Sequence, residues 1–540
     1  MTRLPSKRTY DYVISGGGTA GCVLAGRLSE DPSVSVLLLE AGRRDLHPFI
    51  HIPLGFAKLT SGPYEWGYQS TPQKHGRERV VPLAQGKVLG GGGSINAQVY
   101  TRGIPEDYDG WATTSGYEEW NADGIRPYFL KSERNQRLAG PEHGTEGPLQ
   151  VSDLMEPHPL SQAFVKSGQQ YGLPFTGDFN GGDPHGVGFY QRTTTPSGFR
   201  CSAATGYLTP KVRRRPNLTI ATHANVHKIV VKGRRATGVT ARVDDSTVDF
   251  QAKQEVIVAS GAFGSPRLLQ LSGIGDAKHL ESVGVDPLHN LPGVGENLHD
   301  HCDLDIIYEL NDYGSLDRIQ KVGPSMMAAG IEYLAFRSGP LTSTGVEAGA
   351  FSRGDPEDPT VNLQFHFLPA SGSEAGIASA PIGRGVTINS YFLRPRSRGN
   401  VKITSSDPLV MPAIDPNFLA DEYDLAMSVE GVRQTREMMQ QSEIGKHIKK
   451  ELIDDSYEFK NDDDYRRFVT DFGRTAYHPV GTCQMGDSDD AVVDASLRVH
   501  GLQGLRVVDS SVMPSVNSSN TQAPTVAIAE KAADMIRSGR

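Results

Sequence analysis

The sequence is poor in cysteine and lacks any long apolar run. Its four cysteines are widely separated and form no CxxC pair, which argues against a zinc ribbon and against a disulfide framework. No segment approaches the ~20 consecutive apolar residues of a membrane-spanning helix. The N-terminus, MTRLPSKRTY, is polar and has no apolar segment after it. We expect no export signal, no integral membrane segment and a location in the cytoplasm, with peripheral attachment to a membrane left open.

An excess of basic residues is also missing. The 540 residues include 54 Lys and Arg against 63 Asp and Glu, for a net charge of -9. Proteins that bind nucleic acid concentrate Lys and Arg on one face, whereas the one dense basic run here, KVRRR at 211–215, is typical of a solvated loop. We therefore expect no nucleic-acid partner. The length predicts two domains.

The first forty residues contain a nucleotide-binding pattern. An apolar strand over 10–15 leads into GGGTAG at 16–21, which fits GxGxxG, then a helix over 22–28 and a second strand over 33–39 that ends at Glu40. In such a βαβ unit the glycines permit a tight turn and a close approach to a pyrophosphate, and the acid accepts hydrogen bonds from ribose hydroxyls. The pattern predicts a dinucleotide site rather than a structural turn, but it does not separate FAD from NAD.

Three further segments carry a family resemblance. They are QGKVLGGGGSINAQVYTRG (85–103), GAFGSPRLLQLSGIG (261–275), and the C-terminal YHPVGTCQMG (477–486) with LRVVDSSVMPSVNSSNTQAPTVAIA (505–529). With the N-terminal unit, their order and spacing resemble the glucose–methanol–choline (GMC) family of FAD-dependent oxidoreductases, in its choline-dehydrogenase-like branch. The stretches AGRRDLHPFIHIPLGFAK, STPQKH and LQFHFLPA resemble FAD-dependent L-sorbose dehydrogenase in particular.

The resemblance implies FAD as the cofactor. It places the glycines at 90–93 along the flavin ring, although many relatives have serine where Gly92 and Gly93 stand here. Choline oxidases attach the flavin covalently through a histidine at the position of Ile95, so we expect non-covalent FAD. The expected cofactor-binding residues are Gly16, Gly18, Thr19, Ala20, Gly21, Glu40, Ala41, Leu89, Gly91, Gly92, Asn96, Val226, Ala259, Gly261, Asp509, Ser510, Gln522 and Ala523.

Two residues match the catalytic positions of the family, His478 and Asn520. The resemblance implies that His478 takes the substrate hydroxyl proton while hydride passes to the flavin, and that Asn520 orients the hydroxyl. We expect a dehydrogenase for a primary alcohol of a sugar or polyol such as L-sorbose, with a quinone, a dye-like acceptor or oxygen as electron acceptor. The alternatives are an oxidase of aliphatic, aromatic or choline-like alcohols and a non-redox flavoprotein similar to hydroxynitrile lyases.

The family resemblance also implies the architecture. We expect an α/β FAD-binding Rossmann-like domain (1–155, 201–304 and 471–540) interleaved with an α+β substrate-binding domain (156–200 and 305–470) built on an antiparallel sheet. Alternating residues at 361–367 and 387–392 predict strands, and 421–439 predicts a helix. Candidates for the pocket wall or its entrance, each equally open to ordinary packing, are Tyr64, Trp66, Phe365, His366 and Phe367.

Two polar runs invite a metal-binding interpretation. In HDHCD at 299–303 the candidate ligands are one residue apart, which suits a shared tetrahedral site poorly. The acidic run at 462–464 lacks the glycine and the final glutamate of a calcium loop. We predict that no metal is bound.

Overall fold

The computed structural model describes residues 5–311, 314–320, 323–371, 384–453 and 457–539. Two seven-stranded sheets organise these residues, each with its own large apolar core. Within the described ranges no helix has the length and apolarity needed to cross a bilayer. The helices are Thr19–Leu28, Pro48–His51, Pro105–Ser115, Ala122–Ser132, Pro159–Tyr171, Ala203–Gly206, Gly261–Leu271, Ala277–Ser282, Pro324–Phe336, Glu422–Met439, Ser442–Gly445, Asp462–Phe472 and Gln522–Arg537.

The first sheet is parallel around the N-terminal strand and antiparallel at one edge. The strand Leu505–Val507 joins it from the far end of the chain, parallel to its longest strand. A parallel arrangement with helices on its faces is the expected Rossmann-like core. In spatial order its strands are Leu218–Ala221, Val36–Leu39, Thr9–Ser15, Ser246–Val258, Arg235–Val243 and Ala224–Lys232.

The glycine-rich turn forms as the sequence predicts. Gly16 has a φ of +104°, and a Cβ at Gly21 would lie 1.9 Å from the Gly16 carbonyl oxygen, so the helix packs on the turn only without side chains there. The helix begins at Thr19 rather than at residue 22. The second strand begins at Val36 rather than at residue 33, because Asp31 accepts a hydrogen bond from the backbone N–H of Ser33 (2.9 Å) and closes a turn.

The second sheet is antiparallel throughout. It confirms the expected α+β layer, and the helix Glu422–Met439 packs on it behind an Asp421 N-cap. The division of the chain at the boundaries given above stays a prediction. In spatial order the strands are Ile448–Glu451, Cys302–Leu310, Gly385–Phe392, Leu363–Leu368, Ala348–Ser352 and Gly186–Phe189, with Arg474–Thr475 also paired to Cys302–Leu310.

A buried ionic cluster surrounds His143. Its Nε2 lies 2.9 Å from Asp178 and its Nδ1 3.2 Å from Glu133, which also pairs with Arg102. Burial disfavours the charged ring, but the hydrogen bonds to Asp178 and Glu133 outweigh that cost and raise the pKa of His143 to about 9. The cluster therefore stabilises the fold while His143 is protonated.

This cluster predicts that stability falls in alkali. The folded-state pKa lies above the unfolded value, so the contribution of His143 is complete below pH ~6.5 and is lost as the pH rises through about 9. We expect the free energy of unfolding of the holoprotein to fall by roughly 2 kcal/mol over that range because of this group. Chemical denaturation at the two pH values measures the fall, and His143→Gln should remove it. An equal fall in both proteins would contradict the assignment.

Candidate active site

One large cavity lies between the two sheets. Its walls include Ser15 and Ala259, at the carboxyl ends of parallel strands of the first sheet, and His366 and Asn389 from the second sheet. The space between these walls measures about 2210 Å³ with its open mouth. Because the wall runs from the glycine-rich turn at 16–21 to the second sheet, the cavity can hold a dinucleotide at one end and a substrate at the other.

Most of the residues expected to bind FAD line this cavity. Three do not: Gly21 packs against the Gly16 turn, and Leu89 and Ala523 are buried in the core of the first sheet. The residues found on the wall are Gly16, Gly18, Thr19, Ala20, Glu40, Ala41, Gly91, Gly92, Asn96, Val226, Ala259, Gly261, Asp509, Ser510 and Gln522.

Three helices begin at the cavity wall. Their N-cap residues are Gly18, Ser260 and Thr521, and none of these caps its helix with a side-chain hydrogen bond. At the start of Gly261–Leu271 the Gly261 N–H donates to the Asp509 carboxylate (2.9 Å). The starts at Gly18 and Thr521 present backbone N–H groups and a partial positive charge, which suits phosphate or another anionic group. The wall therefore fits the pyrophosphate and the electron-rich ring of the expected cofactor.

Glu40 is fixed beside the glycine turn. One carboxylate oxygen accepts from the Gly17 backbone N–H (2.8 Å) and the other from Gly42 (2.7 Å). Burial raises the pKa of Glu40, and these two donors oppose that rise. Because each oxygen has a second lone pair, the carboxylate can still accept hydrogen bonds from a nucleotide in the cavity. Glu40 thus holds the glycine turn in place and also forms part of the cavity wall.

The glycine loop at 90–93 is held from behind by Arg200. This guanidinium is fully buried and donates to Asn96 at its backbone oxygen (2.7 Å) and its side-chain oxygen (2.8 Å), and to the Gly93 carbonyl (3.2 Å). Burial lowers the pKa of Arg200 to about 9. A Cβ at Gly92 would stand in open space, so this stretch leaves room for a flat ring against the backbone.

His478 and Asn520 meet at the cavity wall. The Asn520 Nδ2 lies 3.0 Å from the His478 Nε2. The Asn520 Oδ1 accepts from the Thr101 hydroxyl (2.9 Å) and from the Gln364 amide (3.3 Å). These two bonds fix the orientation of the Asn520 amide, so its N–H₂ points at the imidazole.

A second histidine fixes the tautomer of His478. The His301 Nε2 lies 3.0 Å from the Leu393 carbonyl and therefore donates to it. In the neutral ring the His301 Nδ1 is then an acceptor, and it lies 3.0 Å from the His478 Nδ1. The proton of His478 therefore sits on Nδ1, and the lone pair sits on Nε2, facing the cavity and Asn520.

The backbone at His478 is anchored by Asp300. Its carboxylate accepts from the His478 N–H (2.8 Å) and from the Thr475 hydroxyl. Burial raises the pKa of Asp300 to about 7. Tyr477 has a φ of +64°, a left-handed conformation that costs energy for a residue with a Cβ and that is often found at functional sites.

The imidazoles around the site are uncharged at neutral pH. Burial lowers the pKa of His301 to about 4 and that of His366 to about 3. Burial holds the pKa of His478 well below its usual range, and His301 and His366 add to that effect. The Nε2 lone pair of His478 is therefore free of a proton before any substrate arrives.

The second sheet gives the cavity a polar wall. Asn389 donates to Asp303 (3.2 Å), and Arg474 bridges Asp303 (3.0 Å) and Asp305 (2.5 Å). The Asn389 Oδ1 is buried and accepts no hydrogen bond from the described residues. Apolar side chains form another part of the wall: Phe56, Val99, Val346 and Leu368.

The five candidates for the pocket wall fall into two groups: some line the cavity and the others pack into apolar clusters. His366 and Trp66 line the cavity. Phe365 and Phe367 point the other way into the core of the second sheet, because neighbouring residues of a strand face opposite sides. Tyr64 packs on the small buried cluster around Ile50 instead. For these three, ordinary packing was the correct alternative.

The run at 299–303 packs against His478, the expected base. No residue of this run was predicted to lie at His478, yet Asp300 and His301 contact it and Asp303 lines the cavity. The His299 ring accepts from the Val516 N–H (2.8 Å). Among the described residues, no three His, Cys, Asp or Glu side chains are grouped to hold a metal ion. The sequence signal that could have revealed this is the alternation of His299, His301 and Asp303, which places all three on one side of an extended segment.

The fold and the cavity define a flavoprotein oxidoreductase, with FAD as its cofactor. Family comparison agrees, since residues 10–303 match the N-terminal model of the GMC oxidoreductases and residues 395–529 match the C-terminal one. The chain belongs to the GMC oxidoreductase family. It is an enzyme that oxidises an alcohol.

Similar proteins cover nearly the whole chain. An alcohol dehydrogenase (acceptor) of Pseudomonas putida is 42% identical over 98% of this chain and 95% of its own length. An oxygen-dependent choline dehydrogenase of Paraburkholderia xenovorans (strain LB400) is also 42% identical, over 98% and 94%. Formate oxidase of Aspergillus oryzae superposes with a TM-score of 0.93 at 30% identity, with 99% of both chains covered.

Proposed function

We propose that this enzyme is a dehydrogenase that oxidises a primary alcohol of a sugar or polyol, such as L-sorbose, to the aldehyde. The observation that supports the substrate class is the polar wall of the cavity, which is lined by Asp303, Asp305, Asn389 and Arg474. A sugar or polyol carries several hydroxyls that can donate to and accept from such side chains, whereas a simple primary alcohol has one.

His478 is proposed as the general base. When bound, FAD supplies the acceptor for the hydride that leaves the carbinol carbon. The His478 Nε2 takes the hydroxyl proton, so the alcohol loses one proton and one hydride and becomes the aldehyde. His301 supports this role, because it holds the His478 proton on Nδ1 (3.0 Å between the two nitrogens).

Asn520 is proposed to position the hydroxyl. One Nδ2 hydrogen points to the His478 Nε2 (3.0 Å) and the second can donate to the substrate oxygen, while Thr101 and Gln364 hold the Oδ1. An amide has no titratable proton near neutral pH, so Asn520 orients the substrate and does not take its proton.

The cofactor is proposed to be held without a covalent bond. Ile95 lines the cavity where a covalent attachment would need a nucleophile, and its side chain is a hydrocarbon. Retention of FAD then depends on the uncapped helix starts, Glu40 and the glycine loop. The electrons are proposed to pass finally to a quinone, a dye-like acceptor or oxygen.

Anaerobic mixing with a panel of alcohols tests this function. We expect L-sorbose or another polyol to bleach the flavin absorbance faster than choline or simple aliphatic alcohols, and air to restore it slowly compared with a quinone or dye. Faster bleaching by aliphatic alcohols or choline would refute the polyol assignment. FAD that no alcohol reduces would favour a non-redox flavoprotein.

Asn389→Leu tests the polar wall, because leucine has a similar size but no polar atom. Because it removes one hydrogen bond to the substrate, kcat/KM for the polyol should fall by about tenfold. The value for a simple primary alcohol should change by less than about threefold, since that substrate has no second hydroxyl for the wall to bind. Equal losses for both substrates would place Asn389 outside substrate recognition.

A further inference from the structure

Arg200 is a buried cation without a counter-ion. Only 1% of its surface is exposed, and across the part of the chain that the structure describes no carboxylate pairs with it. Its guanidinium donates instead to uncharged oxygens of Ile50 (2.7 Å), Gly93 (3.2 Å) and Asn96 (2.7 Å). Its Nη2 is buried and meets no acceptor among the same residues. A buried charge without a partner destabilises the fold unless another group offsets it.

Other buried guanidiniums of this chain do have carboxylate partners. Arg102 pairs with Glu133, and Arg506, which is also 1% exposed, pairs with Glu255 (2.7 Å). Burial lowers the pKa of Arg200 to about 9, so its guanidinium still carries a full charge at neutral pH. The described residues therefore leave one buried positive charge uncompensated at Arg200.

The charge of Arg200 lies directly behind the cavity wall. Asn96 accepts from it through both its backbone oxygen and its side-chain oxygen, and Asn96 lines the cavity together with Gly92. Ile50 and Ile95, beside these contacts, belong to an apolar cluster. A charge in apolar surroundings acts more strongly on its neighbours than a charge in water. The field of Arg200 therefore reaches a ring that lies against the glycine loop.

We propose that Arg200 raises the reduction potential of the flavin by stabilising its reduced, anionic form. A hydride brings the flavin ring two electrons and one proton, and so adds one negative charge. A fixed cation behind the glycine loop favours that charge, because it is already in place and needs no rearrangement when the charge arrives. The reduced ring then supplies the counter-charge that Arg200 lacks within the protein. This role holds whichever alcohol is the substrate.

The reduction potential separates this role from that of holding the loop in place. It depends on the difference in affinity of the protein for oxidised and reduced FAD. Loss of a loop contact, or of an attraction to the pyrophosphate, weakens the binding of both forms equally and leaves the potential unchanged. Loss of a charge that acts on the ring weakens the binding of the reduced form more, and so lowers the potential.

Arg200→Gln removes the charge and keeps an amide that can donate to the loop. The FAD-loaded protein is equilibrated at pH 7, without alcohol, against a dye of known potential. We expect the ratio of reduced to oxidised flavin to fall at least about tenfold, or about 30 mV for a two-electron couple. Arg200→Lys keeps the charge and should stay within about threefold of the wild type. Arg506→Gln is the matched control, since Arg506 is equally buried but paired with Glu255, and it should leave the ratio unchanged.

Two results would overturn the proposal. One is a wild-type potential in Arg200→Gln, with or without weaker binding of FAD, since Arg200 would then only hold the glycine loop. The other is a fall of about tenfold in Arg200→Lys, because that variant keeps the charge. The lysine variant thus keeps the proposal testable even if Arg200→Gln does not retain FAD. Because no alcohol takes part in the measurement, its result is independent of the substrate assignment.

Discussion

His478→Ala is expected to slow alcohol-dependent reduction of the flavin by about 10²–10⁴-fold, the usual contribution of a general base. The substitution removes the Nε2 lone pair that His301 and Asn520 hold at the cavity (3.0 Å contacts on either side of the ring). FAD should stay bound, because the phosphate-binding turn and the glycine loop lie on other segments. Anaerobic stopped-flow spectroscopy measures the rate, and the flavin absorbance of the purified variant measures the cofactor content.

His75→Ala is the control for that experiment. His75 is half-exposed on the turn Lys74–Gly76 and lies outside the cavity wall. We expect its rate to match the wild type. A His478→Ala rate within about threefold of the wild type would rule out His478 as the base.

Glu40→Ala is expected to cause the second large loss, in FAD affinity. Each hydrogen bond from a backbone N–H to the carboxylate contributes about 1.5–3 kcal/mol, and Glu40 accepts two of them, from Gly17 and Gly42. Without them the turn relaxes and two buried donors lose their acceptor. We expect the Kd for FAD to rise by at least ~10²-fold, measured by fluorescence titration of the apoprotein.

Two further variants serve as comparisons for Glu40→Ala. Glu40→Gln keeps one carbonyl acceptor and should lose less affinity than Glu40→Ala. Glu281→Ala removes an exposed carboxylate at the end of another helix and should leave the Kd unchanged. If Glu40→Ala bound FAD as tightly as the wild type, the turn would not depend on this acid.

The nucleotide-binding half of the cavity followed closely from the sequence. Local patterns sufficed to place Gly16, Gly18 and Glu40 on the wall, because all three belong to one βαβ unit. The C-terminal residues Asp509 and Gln522 also reached the wall, but on the strength of a family resemblance rather than of local spacing. Their roles in binding stay predictions.

The support behind His478 could not be read from the chain. Asp300 and His301 lie 177 and more residues away in sequence and meet His478 only through packing of the strand Cys302–Leu310. Because these histidines and acids are so close together in sequence, they first suggested a metal site. Phe365 and Phe367 were ambiguous for a related reason, since alternation predicts two faces of a strand without saying which face meets the cavity.

Contacts between the first helix and the helix Gln522–Arg537 determine when the cavity can form during synthesis. Thr19 donates to the side chain of Gln522 (3.0 Å), and Arg27 pairs with Glu530 (2.7 Å). The first helix therefore lacks these partners until residues 522–530 have left the ribosome, although N-terminal segments emerge first. The cofactor cavity cannot close on a nascent chain. A chain truncated before residue 522 would lack part of the cavity wall.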